Sequence, residues 1–375
     1  MRILILADAI DRQYAGVYVY AYSLIKNLLK IDRENEYWFV HLRENNFFKG
    51  LNEIILPQSK ILGMATCRKF FQLPKLIRKL SPDIVLELEH LAPWVIRNLK
   101  AKKIVTIYDL TPVLFKKFHV FYGWFLQTLF FPRLFERSDG FLAISECTKK
   151  DVERLYQPSV PIEVTYLASR FNLKDLNPAN NKKFHAKYKN IFPYILYVGT
   201  LEPRKNLELL IEVFNYLKKN KDIPHKLVLV GNGGWKYKKI LQKIEASDFK
   251  SSILKMDYVD TRELSYFYYN AGVLAYPSLY EGFGLPVLEA MSLRCPVVVS
   301  NTSSLPEVVG DAGVLCDPNS VEQWANSIYS ILANNNLKED LAKKGLERSN
   351  LFSWENSARK TLDFFKKVTK SYEKD

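Results

Sequence analysis

Cysteine is scarce in this chain: four in 375 residues, Cys67, Cys147, Cys295 and Cys316, with no C-x-x-C pair and only five histidines. That excludes a disulfide framework and a zinc cage of closely spaced ligands, and points to a reducing, cytoplasmic setting. Long apolar runs are missing as well. The longest uncharged stretch of interest, Phe118–Pro132, has fifteen residues and includes His119, Gln127 and Pro132, against the ~20 apolar residues of a transmembrane helix. The N-terminal apolar run is broken by Asp8 before it reaches signal-peptide length and reads as a first β-strand. No internal repeat is present, which excludes solenoids and propellers. No RNP, KH or helix-turn-helix pattern is found, so nucleic acid is not an expected partner.

Acidic residues are also in deficit. Lys and Arg number 54 against 40 Asp and Glu, a formal charge of +14, so the surface favours something anionic, such as phosphate or an anionic membrane. Hydrophobic residues at 48% and charged ones at 25% are the ordinary globular balance. At ~150 residues per domain the length predicts two domains. Short apolar runs, Ile3–Leu6, Trp38–Leu42, Ile84–Leu88, Ile104–Ile107, Phe141–Ile144, Tyr194–Val198, Leu227–Val230, Val273–Ala275 and Val297–Val299, alternate with helical patterns. Continuous apolar strands separated by helices imply an α/β protein built on parallel sheets covered on both faces.

Between the two series, Ala168–Ile191 is rich in Asn and Lys and reads as a linker. The expected division is a domain over residues 1–175, a second over 190–352, and a C-terminal helix over 353–375 packing back on the first. Ser353 is placed as its N-cap, with Leu362, Phe365 and Val368 at helical spacing. Doubly wound sheets bind ligands beyond the carboxyl ends of their strands, so the cleft between the halves is the expected site.

The densest signal is Pro277-Ser-Leu-Tyr-Glu281-Gly-Phe283-Gly284-Leu285-Pro-Val-Leu-Glu289. A strand ends near Tyr276, glycines form a turn, and Pro286 suits the first turn of a helix starting near Leu285. Glycines let backbone approach a ligand, and a helix N-terminus offers free N–H groups to a phosphate. Glu281 and Glu289 flank that anion site, and ionised carboxylates accept hydrogen bonds from sugar hydroxyls. A second signal, Tyr197-Val-Gly199-Thr-Leu-Glu-Pro-Arg204-Lys205, sets two cations after a strand and a glycine turn, with a diphosphate as the natural counter-charge. Gly231-Asn-Gly-Gly234 lacks the third glycine of a dinucleotide fingerprint and reads as a close-approach turn. Glu87 and Glu89 share a strand face, but no Asp-x-Asp joins them, and they read as structural.

These motifs resemble those of the retaining nucleotide-sugar glycosyltransferases of family 4, strongly over Gly199–Asp317 and more weakly elsewhere. The resemblance implies the GT-B fold, two Rossmann-like domains facing across a cleft, with the acceptor on the N-terminal and the donor on the C-terminal domain. It implies that Glu281 touches the donor sugar and Glu289 the ribose. The backbone near Phe283, Gly284 and Leu285 would hold sugar and phosphate, and Lys205 would pair with the diphosphate. Base readout is expected from backbone around Tyr258–Asp260. The chain departs from the pattern at Thr200, where many members carry arginine and Arg204 is the substitute. It departs again at Arg294, where glycine is usual, and at Tyr108, where histidine is common. Asp109 is therefore the expected polar contact of the N-terminal domain, and Gly16 is what remains of a first glycine-rich loop.

Lys60–Phe135 holds thirteen Lys and Arg against Asp83, Glu87, Glu89 and Asp109, and Val113–Phe135 holds nine aromatics. Basic residues interleaved with aromatics suit peripheral contact with an anionic membrane. The expectation is a metal-independent, retaining hexosyltransferase, mannose-like or glucose-like in its sugar, using a nucleotide diphosphate sugar as co-substrate and no cofactor. Its acceptor is a glycan, lipid-linked, in surface polysaccharide assembly. A nucleotide-sugar 2-epimerase and an inactive nucleotide-sugar-binding scaffold remain the alternatives.

Overall fold

The computed structural model describes residues 1–13, 15–57, 68–90, 92–95, 99–115 and 121–370. Among these, β1 (Arg2–Leu6), β2 (Glu36–His41), β3 (Asn52–Ile55), β4 (Ile84–Glu87), β5 (Lys102–Ile107), β6 (Gly140–Ala143) and β7 (Ile162–Val164) form a parallel sheet ordered β3-β2-β1-β4-β5-β6-β7. A second parallel sheet holds β8 (Tyr194–Val198), β9 (Lys226–Val230), β10 (Ile253–Met256), β11 (Val273–Tyr276), β12 (Val297–Ser300) and β13 (Val314–Cys316), ordered β10-β9-β8-β11-β12-β13. The α/β, doubly wound reading therefore holds for both sheets. In each the chain first steps outward and then crosses back, so strand order reverses between β1 and β4 and again between β8 and β11. Ligand crevices of such sheets open at that reversal, beyond the carboxyl ends of the strands.

The chain divides into two units, Met1–Leu167 with Ser353–Asp375, and Ala168–Phe352. In the first, Leu4, Val85, Val105 and Phe141 of the sheet pack with Trp94, Phe131 and Phe135. Helix Trp354–Lys370 belongs to this unit, where it packs on helix Ala15–Ile31. Ser353 Oγ caps it by accepting from the Asn356 N–H at 3.1 Å, and Phe364, Phe365 and Val368 are buried. A Cβ at Gly140 would lie 2.7 Å from the Phe364 ring, so glycine makes room for that helix on β6.

The second unit begins at Ala168, and 168–191 is not a bare linker. Asn172 caps a short 3-10 turn, Asn177 caps helix Pro178–Lys187, and Phe184 of that helix enters the core of the second unit. The asparagines that suggested linker punctuation are capping residues, and one buried side chain is too few to show a periodicity.

The basic and aromatic segment also needs correction. Arg68, Lys69 and Lys103 are buried and ion-paired, and Phe131 and Phe135 are core residues, so these do not form a surface. Lys60, Cys67, Arg97, Lys116, Lys117 and Phe118, and the side chains of Phe121, Tyr122, Trp124 and Phe125, lie outside the described part. Among the described residues no helix is long and apolar enough to cross a membrane.

Candidate functional site

Of the ten residues singled out above, eight lie in the second unit, in and around the two loops that leave β8 and β11 at the reversal of the sheet. After β8 the chain turns at Gly199, whose φ is +149°, and enters the 3-10 turn Pro203–Lys205. After β11 it runs through Pro277–Gly284 into helix Leu285–Ser292. Backbone stitches the loops together: the Leu279 N–H donates to the Arg204 carbonyl at 2.9 Å.

The side chains meet in one cluster. Lys205 Nζ donates to Glu281 Oε1 at 2.5 Å and to the Tyr276 hydroxyl at 3.0 Å. Arg204 Nη1 donates to Glu281 Oε2 at 3.3 Å and to the Tyr280 carbonyl at 2.6 Å, while its Nη2 donates to Glu202 at 2.6 Å. Burial opposes the charge on Glu281, but Lys205 and then Arg204 outweigh it and bring its pKa down to about 2. Glu281 is shared between the two cations, and Glu202 is the second carboxylate beside Arg204. Burial, helped by Arg204, holds Lys205 below its ordinary value against the pull of Glu281. Burial first, and Glu281 next, push the Tyr276 phenol far up, so it stays neutral.

Residues after β12 hold the glycine loop. The Glu281 N–H donates to Ser303 Oγ at 2.9 Å, and Ser304 Oγ donates to the carbonyls of Glu281 and Phe283 at 3.0 and 2.8 Å. Ser303 sits at φ +54°, a left-handed backbone for a non-glycine residue, as strained positions near functional loops often do. Gly284 opens helix Leu285–Ser292 at φ +106° with no side-chain cap. Its N-terminus is thus left to whatever anion approaches.

Glu289, one turn further in, does not join Glu281. It is buried in a network of its own, with Arg170 Nε donating to Oε1 at 2.6 Å and the Tyr268 hydroxyl to Oε2 at 3.1 Å. Arg170, Tyr268, Tyr276 and Ser303 were not singled out by their positions in sequence. Tyr276 carried a signal, as the last residue of an apolar strand before the motif, whereas Arg170 and Tyr268 carried none. At Gly231 the close approach is between backbones: a Cβ there would lie 2.2 Å from the Gly199 carbonyl oxygen.

Gly16 and Asp109 belong to the first unit. Gly16 lies in the first turn of helix Ala15–Ile31, and a Cβ on it would meet nothing within 4 Å. Asp109 Oδ1 accepts from the Thr111 N–H at 3.0 Å and from the Thr111 hydroxyl at 2.6 Å, so it caps a turn. Tyr108 is buried, its hydroxyl donating to the Leu88 carbonyl at 3.0 Å.

A buried lysine–carboxylate–arginine cluster beside an uncapped helix start, at the reversal of a doubly wound sheet, suits an anionic ligand that also carries hydroxyls. Residues 179–348 match the family described as glycosyl transferases group 1. The O-antigen chain mannosyltransferase B of Escherichia coli is 37% identical over 227 residues, 60% of this chain and 60% of that protein, so the match spans about three fifths of the relative's length. Among solved structures, sucrose-phosphate synthase from Thermosynechococcus elongatus superposes with a TM-score of 0.80 at 20% identity, over 99% of this chain and all of that one. Anabaena HepE in complex with UDP-glucose gives 0.74 at 16% identity, over 98% of this chain and 100% of that one. The chain has the GT-B fold, and its residues 179–348 match the group 1 glycosyl transferases.

Proposed function

We propose that this protein is a retaining hexosyltransferase that moves mannose, or a glucose-like sugar, from a nucleotide diphosphate donor to a lipid-linked glycan in surface polysaccharide assembly. The observation that carries the reading is the Lys205–Glu281–Arg204 cluster set beside the helix that Gly284 opens. It is supported by the mannosyltransferase relative of Escherichia coli and by the structural likeness to Anabaena HepE, which was solved in complex with UDP-glucose.

In this mechanism Lys205, Arg204 and the N–H groups at Gly284–Leu285 stabilise charge developing on the leaving diphosphate, in a site fixed before the reaction begins. These cations provide the positive charge, and no metal is required. The bond from the anomeric carbon to the phosphate oxygen breaks while an acceptor hydroxyl bonds to the same face. Its proton passes to the departing phosphate oxygen. Glu281 orients the sugar hydroxyls and Glu289 the ribose. Tyr258, 75% exposed just ahead of helix Thr261–Asn270, offers an aromatic face to the base.

The protein would work in the cytoplasm at the inner face of the membrane. Helix Leu73–Leu80 supports this: Lys75, Arg78 and Lys79 are exposed along it and Phe71 is exposed just before it.

The test is transfer from GDP-mannose and UDP-glucose to an octyl α-mannoside, with and without EDTA, and with the product anomer read by NMR. The α-anomer is expected in EDTA. Glu281→Ala should lose transfer at least as severely as Glu289→Ala. Full turnover in either variant, an inverted anomer, or donor isomerisation without acceptor would overturn the reading.

A further inference from the structure

The side chain of Glu289 is 2% exposed, and both of its oxygens already hold a donor: Oε1 accepts from Arg170 Nε at 2.6 Å and Oε2 from the Tyr268 hydroxyl at 3.1 Å. An ionised carboxylate offers about four lone-pair sites. With these partners in place each oxygen keeps one, and the two bonds fix the plane in which they lie. Two acceptors side by side match the vicinal hydroxyls of a ribose.

Arg170 is itself held in place by its surroundings. It sits in an irregular stretch at the start of the second unit, where Ser169 Oγ accepts from the Phe171 N–H at 3.0 Å and lies 2.7 Å from Ser292 Oγ. Ser292 is the last residue of the helix that carries Glu289, so the stretch is fastened to that helix beside the ion pair. The guanidinium lies over the Phe171 ring, 5.2 Å from its centroid, and that ring packs on Tyr268 at 6.0 Å. Arg170, Phe171, Tyr268 and Glu289 thus close a circuit of contacts in which each fixes the next.

Only the Nε of Arg170 is used in this circuit. Arginine–carboxylate pairs of the strongest kind are bidentate, with two parallel N–H···O bonds. Here the terminal nitrogens meet no acceptor among the described residues, and the side chain is 29% exposed. The guanidinium is also within electrostatic reach of Tyr258, the residue offered above to the base. Its charge is matched by Glu289, so the pair is not a further clamp on phosphate. A hydroxyl that donates to Glu289 keeps lone pairs that accept from a terminal N–H of Arg170, and the two side chains together satisfy both functions of one ribose hydroxyl.

We propose that Arg170 is a specificity-determining residue of the donor site: it aims Glu289 through Nε and donates from its terminal nitrogens to the ribose oxygens, so that the pair, and not the carboxylate alone, selects ribonucleotides over deoxyribonucleotides. The proposal rests on the reading above that Glu289 meets the ribose.

The experiment titrates the full-length protein by calorimetry with GDP and UDP and with the 2′-deoxy and 3′-deoxy forms of each. The base that binds better should lose at least about tenfold in affinity when one ribose hydroxyl is absent. Arg170→Met and Arg170→Lys should each shrink that ratio to about threefold or less, while affinity for the deoxynucleotide changes little, which also reports that they fold. The lysine variant keeps a positive charge beside the buried carboxylate and guards against loss of the fold. Glu289→Gln should shrink the ratio as well. An undiminished ratio in both Arg170 variants, with Glu289→Gln abolishing it, would overturn the role of Arg170 and leave the ribose reading standing. Affinities that fall equally for ribo- and deoxyribonucleotides would do the same, since that is the mark of a merely structural residue. Tighter ribonucleotide binding by Arg170→Met would make Arg170 a competitor for the carboxylate and also overturn the proposal. No nucleotide binding, no discrimination by the unmodified protein, or full discrimination by Glu289→Gln would overturn the ribose reading itself and this proposal with it.

Discussion

Glu281→Gln separates the structural work of the cluster from its chemistry. The change keeps shape and removes one charge. Lys205 is buried and afterwards has only neutral acceptors, the Tyr276 hydroxyl and the new amide oxygen, whereas Arg204 still has Glu202 and the Tyr280 carbonyl. Removing one partner of a buried ion pair costs ~3–5 kcal/mol, and with one cation still paired the low end, about 3, applies. At ~2–4 °C per kcal/mol for a domain of this size, the melting temperature of the second unit should fall by about 6–12 °C. Nucleotide binding should move the other way. Glu281 competes with an incoming diphosphate for Lys205, so in the variant the phosphate takes over a cation that lacks its partner. Recovery of ~1.4 kcal/mol of the lost pairing tightens GDP or UDP about tenfold. Calorimetric titration, a thermal scan and a transfer assay on one preparation read the three quantities. The expected pattern is lower stability, tighter nucleotide and lost transfer. Adding Lys205→Met should restore stability and drop nucleotide affinity below that of the unmodified protein. Nucleotide affinity that falls together with transfer in the single variant would refute the competition, and an unchanged melting temperature would refute the buried pair.

Three further outcomes follow from the same geometry. Gly231→Ala puts a Cβ 2.2 Å from a backbone oxygen at φ +145°, with no side chain to yield, so urea unfolding should show a loss of at least ~3 kcal/mol; under 1 would contradict the close approach. Arg294→Gly should raise the melting temperature by about 2–4 °C. It removes a left-handed strain of ~1 kcal/mol at φ +61°, and the ion pair with Glu339 that it gives up is exposed; a decrease would show that the pair matters more than the backbone. Glu87 has a folded-state pKa near 8 against an ordinary 4.5, so it binds its proton more tightly in the native protein. Its favourable contribution is complete below about pH 4.5 and is lost as pH rises through 8. Glu87→Gln should accordingly flatten the decline in stability between pH 5 and 8, and parallel pH profiles for the two proteins would refute the assignment.

The nine apolar runs named from the sequence are the nine interior strands of the two sheets, and their burial on two faces is what makes them legible. The four strands that gave no signal, β3, β7, β10 and β13, are the four sheet edges. An edge strand is half exposed, so its residues need not be apolar, as Asn52-Glu53 in β3 and Ile253-Leu-Lys-Met256 in β10 illustrate. Sites divide along a similar line. Glu281, Gly284 and Leu285 lie in one short loop and Lys205 in another, each attached to an apolar strand, so their chemistry could be read from local spacing. Arg170 and Glu289, 119 residues apart, meet only because the start of the second unit packs against helix Leu285–Ser292. The first-unit network is the sharper case. Arg68 and Lys69, one more pair of basic residues in a basic stretch, are buried against carboxylates 60 residues before them and 20 after. What turns them from surface charge into a buried network is the crossover that makes β1 and β4 neighbours, and a property of strand order has no counterpart in the spacing of residues along the chain.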